Sequence, residues 1–184
     1  MSDGPKLPPY GGTSLDAGEL VLCPWRDVDA AAIAVAYQDD PEIPRRTGFP
    51  YGMTDLQASA YILERRRGWE VGAKAAFGIF DREHSVLGSI SLLEINWDRR
   101  DAEIGYWLAR NARGRGVAVR ALERIVRWAA ELGLVRLTAT VEVTNEASWR
   151  VLERARFVRQ RTARIDRLLH GEWINEYVYA RDVS

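Results

Sequence analysis

The chain carries one cysteine, two histidines and two lysines in 184 residues, and each shortage narrows what it can be. With Cys23 alone, no internal disulfide can form, and a cytoplasmic location is the expectation. Cys23 sits in the apolar stretch GELVLCPW, which suits a small core residue better than a nucleophile. His84 and His170 are far apart in sequence, each beside an expected turn, so no metal site is expected. No apolar run approaches the ~18 to 20 residues that span a bilayer, and no membrane partner is expected. The start, MSDGPKLPPYGGTSLDAGE, lacks the basic-then-apolar layout of a secretory signal. Its Gly, Pro and Ser content reads as a flexible tail over residues 1–18, ahead of a single domain over 19–184.

Arginine is what the chain has in quantity, with 24 copies. Net charge is zero, yet residues 110–167 hold fourteen arginines against six acids. Such a segment suits a polyanionic ligand. It equally suits a chain that favours arginine throughout and leaves most of it solvated.

Hydrophobic periodicity sets out the elements. Glu19 to Trp25 reads as a strand, followed by an alanine-rich helix from about Asp27 to Gln38. DDPEIPRRTGFPYGM is rich in Pro and Gly and reads as a loop. Thr54 and Gln57 are spaced as a capping box, which starts a helix running to about Arg67. KAAFGIFD and VLGSISLLEI, separated by a turn-length gap, read as an antiparallel pair, with DAEIGYWLA as the next strand. Val117, Ala121, Leu122, Ile125, Val126, Ala129 and Leu132 mark one helical face, ended by Gly133. LVRLTATVEV alternates as a strand, Asn145 caps a short helix to about Ala155, and RFVRQRTARI and EWINEYVYAR close the chain as strands. The order β-α-α-β-β-β-α-β-α-β-β implies an α+β (mixed α/β) fold. Its sheet of about seven strands is mostly antiparallel, with one locally parallel pair at the β-α-β crossover and helices on both faces.

Between the strand ending at Leu108 and the helix starting near Gly116 lies LARNARGRGVAVRAL. The first amides of that helix lack intrahelical acceptors and sit at the positive end of its dipole, which makes an anion site. Gly114 and Gly116 permit unusual φ and keep side chains clear of a phosphate, while Arg113 and Arg115 add charge. A Walker loop is excluded because no Gly-Lys-Ser/Thr follows. A dinucleotide fingerprint fails because Val119 stands at its third glycine. A glycine-punctuated turn with no ligand remains the plain alternative.

Taken together, EIGYWLARNARGRGVAVRAL and VEVTNEASWRVLERARF resemble the GNAT N-acyltransferase superfamily, in particular its Rim-like branch of ribosomal-protein N-terminal acetyltransferases. The resemblance extends over about residues 19–182. The Arg/Gln-x-x-Gly-x-Gly/Ala signature falls on Arg113, Gly116 and Ala118, and the branch's Asn-x-x-Ser on Asn145 and Ser148. It implies acetyl-CoA as cosubstrate and no metal. The pyrophosphate would rest on the backbone of Arg113, Gly114, Arg115, Gly116, Val117 and Ala118. The pantetheine arm would run between splayed strands, along Tyr106, Trp107 and Leu108, within reach of Asn145. Two positions depart from the family. Leu152 stands where many relatives carry a tyrosine acid, leaving Ser148 as the substitute, although a serine there also serves as a cap. Arg156 replaces the glycine of the usual Gly-Phe, a change expected to affect a turn.

Transfer to an amine needs proton removal and a hydrogen-bond donor for the acyl oxygen. A backbone N–H near Gly105 to Trp107 can supply the donor. Alternation puts Glu103, Gly105 and Trp107 on one face of their strand, making Glu103 the candidate base and Glu94 the reserve. A rim carboxylate paired with arginine is the alternative for Glu103. Pro44 to Met53, with Phe49, Tyr51 and Trp69 as walls or core, should edge the acceptor side. The expected partner is a primary amine, on a small molecule or a protein N-terminus, met by a monomer or homodimer. A catalytically idle acyl-CoA-binding or sensing module is the second reading. Nucleic-acid binding ranks last, because aromatics are not interleaved with the arginines as base stacking requires.

Overall fold

The computed structural model describes residues 7–183, with the backbone alone described at 161–167. Its strands are Leu15–Ala17 (β1), Leu20–Pro24 (β2), Ala75–Phe80 (β3), Val86–Asn96 (β4), Asp101–Leu108 (β5), Arg136–Glu142 (β6), Val158–Leu169 (β7) and Glu172–Asp182 (β8). The helices are Ala30–Asp39 (α1), Glu42–Thr47 (α2), Asp55–Glu70 (α3), Val117–Glu131 (α4) and Glu146–Arg154 (α5). The strands form one mixed sheet in the order β1-β2-β3-β4-β5-β6-β8-β7, in which only β5 and β6 are parallel neighbours.

Strand alternation sends side chains to two separate cores. On one face, Ile90, Leu92 and Ile104 pack with Ala121, Leu122 and Ile125 of α4. Six of the seven residues of the α4 stripe are buried, Leu132 being the half-buried one. Each Leu or Ile so buried contributes about 1.5–3 kcal/mol. On the other face, Trp25, Phe80 and Trp107 pack with Ile33, Tyr37 and Ile62 of α1 and α3. Thr54 and Gln57 form the expected capping box at the start of α3, each side chain bonded to the other's backbone N–H.

Two segments differ from their composition. Residues 1–6 of the expected tail lie outside those described, but the tail's second half is packed. Leu15 to Ala17 pair with β2, Leu15 is buried, and Trp69 Nε1 donates to the Pro8 carbonyl at 2.7 Å. That strand makes eight, not seven. The expected loop at 39–53 contains α2. Pro44 sits in its first turn, where no backbone N–H is needed, and Gly48 ends it at φ 78°. Glu42 pairs with Arg45 and Arg46 one turn on, adding local support.

The end of α5 gives the departure at Arg156 a physical meaning. Phe157 N bonds to Leu152 O and Arg156 N to Glu153 O, the paired bonds of a Schellman stop. That stop needs a left-handed residue, and Arg156 adopts φ 61°. Arg156→Gly is expected to stabilise the fold by about 0.5–1 kcal/mol, the removed left-handed penalty partly offset by glycine's freer unfolded chain. Urea unfolding measures this, and a lower midpoint in the variant would contradict it. No helix among the described residues is long and apolar enough to cross a membrane.

Candidate active site

Strands β5 and β6 pair over three positions only, Asp101 with Arg136, Ala102 with Leu137 and Glu103 with Thr138. Beyond Glu103 the two part, while β5 continues to pair with β4 as far as Leu108. One edge of β5 is thereby left with backbone groups that no strand satisfies, and buried backbone groups demand partners. The gap opens into a cavity of about 710 Å³, walled by Tyr106 and Leu108 on one side and Ala139 and Val141 on the other.

At the end of the gap lies the glycine turn. Gly114 has φ 73° and Gly116 φ 72°, both left-handed, where a Cβ is strained. Arg120 N donates to Gly116 O, the first bond of the α4 ladder. The amides of Val117, Ala118 and Val119 therefore leave the helix end without intrahelical acceptors. All three residues line the cavity, as do Gly114 and Gly116.

The arginines of this turn divide differently from the sequence expectation. Arg113 lines the cavity, but its guanidinium is tied down. It forms an ion pair with the buried carboxylate of Asp40, just after α1, and donates to the Leu108 carbonyl at 3.0 Å. It braces the turn as well as charging it. Arg115 does not line the cavity and reaches the Asn111 carbonyl at 3.5 Å.

Polar groups line the cavity on both sides where the strands separate. Glu103, half-buried, lines the cavity and accepts a 2.6 Å hydrogen bond from Thr140 Oγ1 on β6. Its partner is thus a threonine on the facing strand, not an arginine. Glu94, the reserve base, is exposed at φ 49° in the irregular end of β4 and does not line the cavity. Across the gap, Ser148 Oγ lies 2.8 Å from the Tyr106 hydroxyl, which also donates to the Ser148 carbonyl at 3.0 Å. With its one proton on that carbonyl, Tyr106 accepts from Ser148. Burial pushes the Tyr106 hydroxyl well above the ordinary phenol range, so it stays protonated at neutral pH. Asn145 Oδ1 caps α5 by accepting from Ser148 N at 3.2 Å, leaving its amide NH₂ for other partners. Leu152 is a buried core residue that also touches the cavity.

On the opposite side, Phe49 and Trp107 line the cavity and Trp69 does not. Trp69 packs with Phe77 and Trp128 in the other core. Tyr51 is exposed and stands against His170, outside the lining. Arg65, Ser89 and Ser91 were not anticipated, yet all three face the cavity. The signal for Arg65 lay in its spacing, since it continues the buried stripe of Ala58, Tyr61, Ile62 and Trp69 along α3. Among the described residues, no group of three or more His, Cys, Asp or Glu could hold a metal ion.

A parted parallel pair beside a glycine-fronted helix end can be compared with known proteins. The acetyltransferase (GNAT) domain family matches residues 19–158. The chain belongs to the GNAT acetyltransferases. YdaF of Bacillus subtilis, named provisionally as a ribosomal N-acetyltransferase, is 36% identical over 88 residues, which cover 47% of this chain and 48% of YdaF. The ribosomal-protein-serine acetyltransferase of Escherichia coli is 31% identical over 114 residues, 61% of this chain and 63% of that one. The chain thus spans about half of YdaF and somewhat under two thirds of the E. coli protein in these alignments. In fold, Mycobacterium smegmatis RimJ in complex with CoA-disulfide superposes with a TM-score of 0.83 at 24% identity, covering 92% of this chain and 86% of RimJ. Some of the GNAT relatives thus bear the names of ribosomal acetyltransferases.

Proposed function

We propose that this GNAT protein transfers an acetyl group from acetyl-CoA to a primary amine, on a small molecule or a protein N-terminus. The observation that carries the reading is the parting of β5 from β6 next to the left-handed Gly114 and Gly116. An extended chain of amides fits the unpaired edge of β5, and a pyrophosphate fits the amides of 117–119. Several relatives are named as ribosomal-protein acetyltransferases, which favours an N-terminal amine as acceptor.

Bound acetyl-CoA supplies an acyl group already activated as a thioester. The chain's own groups then handle protons and charge. Glu103 takes the proton that the attacking amine must lose, directly or through one water, with Thr140 holding one carboxylate oxygen in place. A backbone N–H between Gly105 and Trp107 donates to the acyl oxygen as it gains charge. As the C–N bond forms and the C–S bond breaks, Ser148 turns its hydroxyl from Tyr106 to the departing sulfur and gives up its proton. The Tyr106 hydroxyl swings from the Ser148 carbonyl to hydrogen-bond the serine oxygen until solvent reprotonates it. That pair supplies a hydroxyl at the site although Leu152 has replaced the family's tyrosine. It weakens the motive for an idle acyl-CoA-binding module.

Free thiol release from acetyl-CoA, measured across amines and N-terminal peptides, tests the proposal. Release that follows the added amine supports transfer, whereas tight acetyl-CoA binding with no release from any amine would favour the sensing module. Tyr106→Phe is expected to lower kcat by about three- to tenfold, the size of one neutral hydrogen bond, with little change in acetyl-CoA affinity. A loss of affinity with kcat intact would mean that the hydroxyl only holds α5 in position.

A further inference from the structure

Arg65 is a cation placed in the wall of the cavity without a hydrogen-bonded anion. Its side chain is 12% exposed, and the guanidinium carbon lies 4.7 Å from the Tyr61 ring centroid and 5.8 Å from that of Phe49. The nearest carboxylate is Glu64, with Oε2 3.4 Å from Arg65 Nε, yet no hydrogen bond joins them. Glu64 is itself half-exposed and pairs with Lys74. Nearby cations are provided for: Arg46 holds Glu42 at 3.1 Å and Glu142 at 2.8 Å, and Arg45 shares both carboxylates. Arg65 has no hydrogen-bonded carboxylate of this kind among the described residues.

Packing alone does not account for it. A cation–π contact uses the flat face of the guanidinium and is worth about 0.5–2 kcal/mol. It leaves the in-plane fork of N–H donors unused, and a buried charge with unused donors is costly. Stacked on aromatics and open in its plane, an arginine is set to receive a carboxylate with two parallel hydrogen bonds. Glu103 lines the same cavity. One cavity therefore offers a carboxylate for an amine and a guanidinium for an acid.

We propose that Arg65 binds a carboxylate carried by the acceptor itself, so that the preferred acceptors are amines bearing an acidic group. This rests on the acetyltransferase reading above and narrows its substrate class. The carboxylate has two sources, the α-carboxylate of a free amino acid or an acidic side chain near a peptide's N-terminus.

Four probes separate them: alanine against alaninamide, and the peptide Ala-Asp-Gly-Gly-amide against Ala-Asn-Gly-Gly-amide. One carboxylate-bearing probe is expected to exceed its neutral twin by at least about tenfold in kcat/KM, mainly through a lower KM, as one charged hydrogen-bonded pair allows. The pair that shows the preference identifies the source. In Arg65→Gln the ratio between the twins is expected to fall to within about twofold of one. Arg65→Lys keeps charge without the fork and should restore only part of the ratio. It also serves as the test if the glutamine variant does not fold. A wild-type enzyme that turns over both twins equally, or an Arg65→Gln enzyme that keeps the preference, overturns the proposal. Should no amine release CoA thiol, the acetyltransferase reading fails and takes this one with it.

Discussion

Glu103→Gln is expected to lower kcat by about ten- to a thousandfold while acetyl-CoA binding persists. Glutamine keeps the length and the hydrogen bond to Thr140 Oγ1, which sits 2.6 Å from the carboxylate in the native chain. What it cannot do is carry away a proton. A neutral-pH amine is mostly protonated, so the reaction slows at proton removal while binding is left alone. The variant isolates that step because the second oxygen of Glu103 has no protein donor among the described residues. Steady-state turnover with an accepted amine, beside calorimetry of CoA binding, gives both numbers. Equal turnover in wild type and variant would remove Glu103 from the chemistry. A matched fall in CoA affinity would instead make it a structural clamp between β5 and β6.

Gly116→Asp is expected to weaken CoA binding by about tenfold to a thousandfold. A carboxylate about 4 Å from a phosphate oxygen is opposed by ~1–4 kcal/mol, depending on how much water screens the pair. The left-handed φ of 72° adds strain, and the Cβ would approach the Arg120 guanidinium at 3.4 Å. Gly116→Ala separates these effects, since it keeps the strain and drops the charge. Most of the loss should belong to aspartate. If calorimetry gives aspartate, alanine and wild type the same CoA affinity, the helix end does not hold the pyrophosphate.

The sequence was most legible where a local pattern and the fold agree. The α4 stripe, the alternation of Ile104 against Trp107 and the glycine turn before α4 all depend on near neighbours, and all appear where periodicity puts them. Elements whose composition opposes their structure were not legible. The segment holding α2 is dense in Pro and Gly, yet Pro44 falls in a first turn that tolerates it and Gly48 falls at the stop. Long-range partners were the other blind spot. Arg113 reads from sequence as a phosphate ligand, and only the approach of Asp40 shows it bracing the turn. Tyr106 reads as backbone alone, because Ser148 lies 42 residues further along the chain. Arg65 hid in a run of three arginines, two of them on other sides of the helix.

Three residue pairs are all that join β1–β5 to β6, β8 and β7 through the sheet. The sheet is therefore two half-sheets joined at one end, with α4 packed on the first half and against α5. On the proposed reading, a ligand seated in the gap would bond to the unpaired edge of β5 and to the start of α4, and would act as a removable ninth strand. Its binding energy then becomes part of the energy that keeps the halves in register. At a hundredfold excess over Kd that amounts to about 2.7 kcal/mol, a sizeable share of what holds a domain of this size together. Supply of the donor would thus set the rigidity of the protein as well as its rate.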